Sequence, residues 1–164
     1  MSNATVTKYR RLLDYEADAH EKVVRSLVSV PVERRDSPEY RRAVTILAHL
    51  VAAWRIWLGR IGAIPADVPT MFPTDVDLAG VKTSLREIHN LWTAYLGRLN
   101  DDDIDQWFEY QSLDSGRFRS RIEDILTQLY GHSLYHRGQI AMLVRSAGGE
   151  PAATDFVYWS REPI

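Results

Sequence analysis

The sequence predicts an all-α fold, an up-down four-helix bundle with a short strand or hairpin before the last helix, on three observations. Four long stretches carry apolar residues at helical spacing, prolines and glycines cut the chain between them, and one aromatic stretch around "LDSG" breaks the helical period. At 164 residues the chain suits one domain with a proper core, expected to span 1–164.

The first helix is predicted from about Thr5 to Val30, on Val6, Tyr9, Leu13, Val23, Leu27 and Val30, and Pro31 stops it. The second opens at Ser37-Pro38, a favourable N-cap followed by proline in the first turn, and runs to about Gly62. Val44, Leu47, Val51, Trp54, Leu58 and Ile61 form its apolar stripe. "AIPADVPTMFPT" holds three prolines and is expected to be a loop. The third helix covers roughly Leu78 to Leu99, on Val81, Leu85, Ile88, Trp92, Tyr95 and Leu99, and the acidic "NDDDID" that closes it is expected to be solvated.

In "DQWFEYQSLDSGRFRSRI", Trp107, Phe108 and Tyr110 precede turn chemistry, which predicts a short strand or hairpin. The last helix spans roughly Arg119 to Ala147, closed by Gly148-Gly149. The tail carries Phe156, Tyr158 and Trp159 and is expected to pack across the bundle. Gly131 and Gly138 share a face of the last helix. A helical glycine costs about 1 kcal/mol against alanine, so a neighbouring helix is expected to approach closely there.

Composition excludes several function classes. Net charge is −2, and the basic residues (Arg10, Arg11, Arg34, Arg35, Arg41, Arg42, Arg117, Arg119, Arg121) are scattered among acidic ones. They read as solvated helix faces, so nucleic acid is not an expected partner. The most apolar segment, "AVTILAHLVAAWRIWLGRIGAIPA", is interrupted by His49, Arg55 and Arg60, which makes it a core helix and not a membrane span. The N-terminal stretch carries charges throughout instead of a signal pattern, and a cytoplasmic location is expected. With no cysteine, any metal must be held by nitrogen and oxygen.

The informative residues are histidines. His132 and His136, in "GHSLYHRGQIAMLV", lie about 40° apart on one helical face. That face reads Ile125, Gln128, His132, His136, Gln139, Leu143, apolar at its ends and polar in its middle. Two imidazoles so spaced can converge on one cation, as in helical zinc sites, or they can be core rings hydrogen-bonded to backbone or tyrosine. The clustering of four polar groups favours the cation, because each buried polar group needs a partner.

A third ligand must come from another helix. His49 shares its face with Thr45, Ala52, Ala53 and Ile56, small enough neighbours to leave room for a ring and an ion. His20, beside Glu16, Asp18 and Glu21, reads as a surface ion-paired histidine, and His89, between Glu87 and Asn90, also as a surface one. Arg137 projects to the side of Tyr130 and Ser133, where a structural or interfacial ion pair is favoured over a substrate contact.

Together, "LAHLVAAWRIWLGRI", "YQSLDSGRF" and "HSLYHRGQIAMLVRSAGGEPAATDFVYW" resemble the DinB family over essentially the whole chain. Its most specific element is H-x-x-x-H-R-G-Q followed by a proline, aspartate and aromatic tail. The resemblance implies a bacterial, metal-dependent four-helix bundle, commonly a homodimer, related to bacillithiol- and mycothiol-dependent transferases and isomerases. It implies His49, His132 and His136 as the metal ligands. Many members carry a further histidine where this chain has Gln128.

Three neutral imidazoles would leave a divalent ion its full charge and open positions, the arrangement of a catalytic site. Nitrogen ligation suits zinc, nickel, copper or iron; zinc is expected, with nickel the alternative. Gln128, Gln139 and Tyr135 are the candidates for a supporting shell, with Glu123 and Asp155 as further helpers. None is an evident general base, which favours transfer of a low-molecular-weight thiol to a small electrophile over hydrolysis. The alternative is a non-catalytic, metal-stabilised stress-response or dimerisation module.

Overall fold

The computed structural model describes residues 3–66, 70–114 and 116–164. Four long helices form a bundle: α1 (Ala4–Val28), α2 (Pro38–Arg60), α3 (Leu78–Gly97) and α5 (Ile122–Ser146). A one-turn helix α4 (Asp101–Ile104), a hairpin of β1 (Trp107–Gln111) and β2 (Arg117–Arg121), and a short α6 (Phe156–Ser160) complete it. No helix among the described residues is long and apolar enough to cross a membrane.

The apolar stripes read from the sequence are the core. Val6, Tyr9 and Leu13 of α1 pack with Trp54, Leu58, Ile88, Trp92, Leu126 and Leu129 at one end. Val23, Val24 and Leu27 pack with Val44, Leu47, Val81, Leu85, Ile140 and Val144 at the other. These two clusters set the helix directions. The start of α1 shares its layer with the ends of α2 and α3 and with the start of α5. The bundle therefore runs up, down, down, up, with α2 and α3 parallel. Two parallel neighbours need a connection as long as the bundle, and residues 61–77 supply it. Around the bundle, α1 touches α3 and α5, and α2 touches the same two.

Helix ends follow local chemistry. Ser37 Oγ accepts from the Tyr40 amide at 3.3 Å, with Pro38 in the first turn of α2. Asp77 caps α3 through the Gly80 amide at 2.7 Å. Gly148, at φ 85°, takes the left-handed conformation that lets the Gly149 amide turn back to the Val144 carbonyl at 2.9 Å.

Three expectations are corrected. The acidic "NDDDID" is not simply solvated: Asn100 caps α4, Ile104 is buried, and the Asp101 carboxylate accepts from the amides of Val6 at 2.8 Å and Thr5 at 3.3 Å. The first turn of α1 holds no acid of its own, so this carboxylate supplies from a distance what its dipole favours. The last long helix begins at Ile122, not Arg119, because residues 117–121 pair with β1, Tyr110 opposite Phe118. Gly131 and Gly138 are exposed, and a methyl group built on either meets nothing within 4 Å. Among the described residues, no helix approaches them.

The hairpin docks by its inner rings, Phe108 and Tyr110 lying edge-on to Trp57 at 6.4 and 5.0 Å. In the tail, Phe156 and Trp159 pack on Tyr15 at 5.1 and 5.8 Å, while Tyr158 is exposed with Arg161 over its ring. The tail thus packs on α1 through two of its three rings.

One buried ion pair ties α5 to α1. Arg137 Nη1 donates to Glu16 Oε1 at 2.5 Å, with the residues 3% and 0% exposed. Arg137 Nη2 donates to the Tyr15 hydroxyl at 2.6 Å, and that hydroxyl donates to the Thr154 carbonyl. The pair is structural, as the sequence favours. Glu16→Ala leaves a guanidinium buried without its counter-charge, and urea unfolding should show a loss of about 3–5 kcal/mol. Removing Asp36, the exposed partner of Arg41, should change stability by less than about 1 kcal/mol.

Candidate metal centre

The side chains of α5 divide by helical angle. Ser133 and Arg137 turn to the interior, while His132 and His136, one position earlier, face α2. On α2, His49 sits near Ala48, Ala52 and Ala53, all buried, and the small side chains let its ring reach across. The Nε2 atom of His132 lies 3.3 Å from that of His49 and 3.0 Å from that of His136. The structure therefore brings these three histidines together from two antiparallel helices, and the group can hold a metal ion. No aspartate or glutamate joins it among the described residues.

The remaining ring nitrogens decide which atoms are free. His49 Nδ1 donates to the Met71 carbonyl at 2.7 Å, and His136 Nδ1 donates to Gln139 Oε1 at 2.7 Å. Both neutral rings are then committed to the tautomer with a bare lone pair on Nε2. His132 can offer a proton to only one of them, so at least two lone pairs face each other across the group. Lone pairs in that arrangement repel unless a cation sits between them. Ligands around a tetrahedral ion at about 2.05 Å stand about 3.3 Å apart, and the observed separations match that spacing.

Electrostatics favours the uncharged form of the two imidazoles on α5. Burial, with the neighbouring His136 and His49, pushes the His132 pKa down to about 4. Burial lowers His136 as well; its bond to Gln139 opposes this, and the charges of His49 and Arg42 add to it. Neutral imidazole is the form that ligates a metal.

Of the supporting residues read from the sequence, Gln139 holds His136, and Tyr135 sets its ring edge-on to His136 at 5.1 Å. Gln128 is exposed and makes no hydrogen bond to the histidines among the described contacts. Glu123 instead accepts from the Tyr9 hydroxyl at 3.3 Å, and Asp155 precedes α6. The sequence does not reveal Met71 and Phe72. Phe72 stacks on His49 at 4.7 Å with the rings 3° from parallel, and the loop that carries both residues is placed by tertiary packing.

His20 is not a surface residue, and His89 is half-buried. His20 is 3% exposed, its Nδ1 lies 3.0 Å from His89 Nε2, and its Nε2 lies 3.5 Å from Glu16 Oε2. Burial, then His89 and Arg137, lowers the His20 pKa, and burial holds His89 down at about 4. Burial pushes the Glu16 carboxyl up, against the opposing pull of Arg137. This second pair lines a cleft of about 460 Å³ between α1 and α3, across the bundle from the first.

Three imidazoles presented by two helices of a mainly helical bundle define a helical-bundle protein with a candidate metal centre. Comparison with known proteins places the chain more narrowly. The model of the DinB family matches residues 1–162, and the chain belongs to that family. It is 22% identical over 158 residues to "Protein DinB" of Bacillus subtilis (strain 168), covering 89% of this chain and 90% of that one. No solved structure matches it.

The depressed histidines predict an acid-sensitive fold. Unfolded histidine titrates near about 6.5, so as pH falls below that value the unfolded chain takes up protons before the folded one. The stability of metal-free protein should hold above about pH 6.5, fall between there and about pH 4, and fall less steeply in His89→Asn. Melting temperatures across that range measure it.

Proposed function

We infer that the three imidazoles of His49, His132 and His136 hold a divalent ion, zinc with nickel as the alternative, in a metal-dependent enzyme. The reading is a transferase- or isomerase-type activity on a small electrophile, with a low-molecular-weight thiol as co-substrate. The observation that carries it is the convergence of three Nε2 atoms, two of them held as bare lone pairs by partners on their Nδ1 atoms.

A divalent ion bound there lowers the pKa of a thiol or water that it ligates. The chain's own groups do the rest. Met71 and Gln139 fix the rings of His49 and His136, so their ligating atoms are oriented before anything binds. Neither can take up a proton at neutral pH, and no carboxylate joins the group among the described residues. A reaction whose nucleophile needs no protein base fits this site better than one that must deprotonate water. Absence of thiol-dependent turnover in the fully metallated protein would favour the metal-stabilised module. The homodimer belongs to the same proposal, supported by the bare strip of α5 at Gly131 and Gly138 and read by equilibrium sedimentation.

Elemental analysis of purified protein should find about one divalent ion per chain, and His132→Ala or His49→Ala should lose it. A chelator should lower the melting temperature of the unaltered protein, because an ion at about a thousand times its Kd stabilises the native state by about 4 kcal/mol. Full metal content in His132→Ala would overturn the assignment.

A further inference from the structure

Two exposed aromatic rings stand against the three imidazoles, and a cation lies on the same face of α2 as His49. Phe72 lays one face on His49 and is 67% exposed, so its other face meets solvent. Tyr135, 64% exposed, stands against His136 at 5.1 Å. Large rings left in water forgo the free energy of burial, and two of them set against one group of imidazoles offer a surface to a flat partner.

Arg42 lies seven residues before His49 on α2. Seven residues bring a helix back to within about 20° of the same face, about 10 Å along the axis. A long guanidinium side chain spans much of that gap. Arg42 is exposed and has no carboxylate partner within ion-pair distance among the described residues, whereas Arg41 beside it is paired with Asp36 at 3.0 Å. An unpaired cation beside ligands meant for a cation is unfavourable on its own. It is relieved when an anion arrives with the ligand.

We propose that the site takes a small, flat organic carboxylate, its carboxylate on Arg42, its body against Phe72 and Tyr135, and its reactive group at the three imidazoles. The specificity rests on reading His49, His132 and His136 as a metal centre. Arg42 and Phe72 choose the ligand and do not hold the ion.

The test uses full-length protein loaded with Co2+ and titrated with 4-mercaptobenzoate and its neutral amide, 4-mercaptobenzamide, at a pH where both thiols are ionised. The sulfur-to-cobalt charge-transfer absorption reads binding. The acid should bind about fivefold tighter than the amide, the contribution of one exposed ion pair. Arg42→Gln should abolish that preference without changing cobalt content, and Phe72→Leu should weaken both ligands alike. Equal affinities in the unaltered protein, or a preference that survives in Arg42→Gln, overturns the carboxylate proposal and leaves the metal centre standing. Undiminished binding of both ligands in Phe72→Leu removes the ring from the proposal. Failure to take up cobalt overturns the metal centre and the ligand proposal with it.

Discussion

The ion pair between Glu16 and Arg137 sets how α5 sits in the bundle. Arg137 reaches a fully buried carboxylate on α1 at one rotation and one height of its helix, and Ser133, one turn earlier, accepts from the Trp54 indole at 3.2 Å. With those two positions held against α1 and α2, the residues just before each have no freedom of direction. They are His132 and His136. Burying two charges is costly, and a hydrophobic pair would serve stability as well or better. What the pair adds is register, and register is what the convergence of three imidazoles from two helices needs.

Polarity inside this bundle is distributed around Trp54. Its ring lies 6.2 Å from His20 and 5.8 Å from His89, and its indole nitrogen bonds the serine next to His132. Trp54 thus touches one histidine group with its ring and the helix that carries two members of the other with its indole nitrogen. The two groups differ in what their rings meet. The pair near α1 and α3 is joined by one His20–His89 hydrogen bond, with Glu16 3.5 Å from His20, while in the group between α2 and α5 lone pairs oppose one another.

Much of this was legible in the residues. The apolar stripes of α1, α2 and α3 are buried nearly position for position, because a helix can hide only one face and the period says which. The pairing of His132 with His136 follows from helix geometry, and the small neighbours of His49 correctly marked a helix face that another could approach. His20 and His89 were hidden by their flanks: charged neighbours describe the adjacent faces of a helix, not the face on which the histidine itself lies. Asp101 reads as a solvent acid because its partners, the first amides of α1, are 95 and 96 residues away. Met71 contributes a backbone carbonyl, a group every residue possesses, so no side-chain pattern marks it. The start of α5 was misplaced because "RFRSR" has no apolar period to separate a strand from a helical turn, and only its pairing with β1 decides.

The parallel run of α2 and α3 forces the chain to travel the length of the bundle between them, and the returning stretch passes over His49. A connection demanded by topology thus comes to rest on the histidine group, where Met71 orients a ring and Phe72 stacks on it. Helices and returning stretch answer to different constraints. The helices cannot change without losing the core, whereas the stretch can exchange side chains, lengthen or shorten at little cost to the rest. Such a division lets one scaffold keep its histidine group while the stretch above it varies.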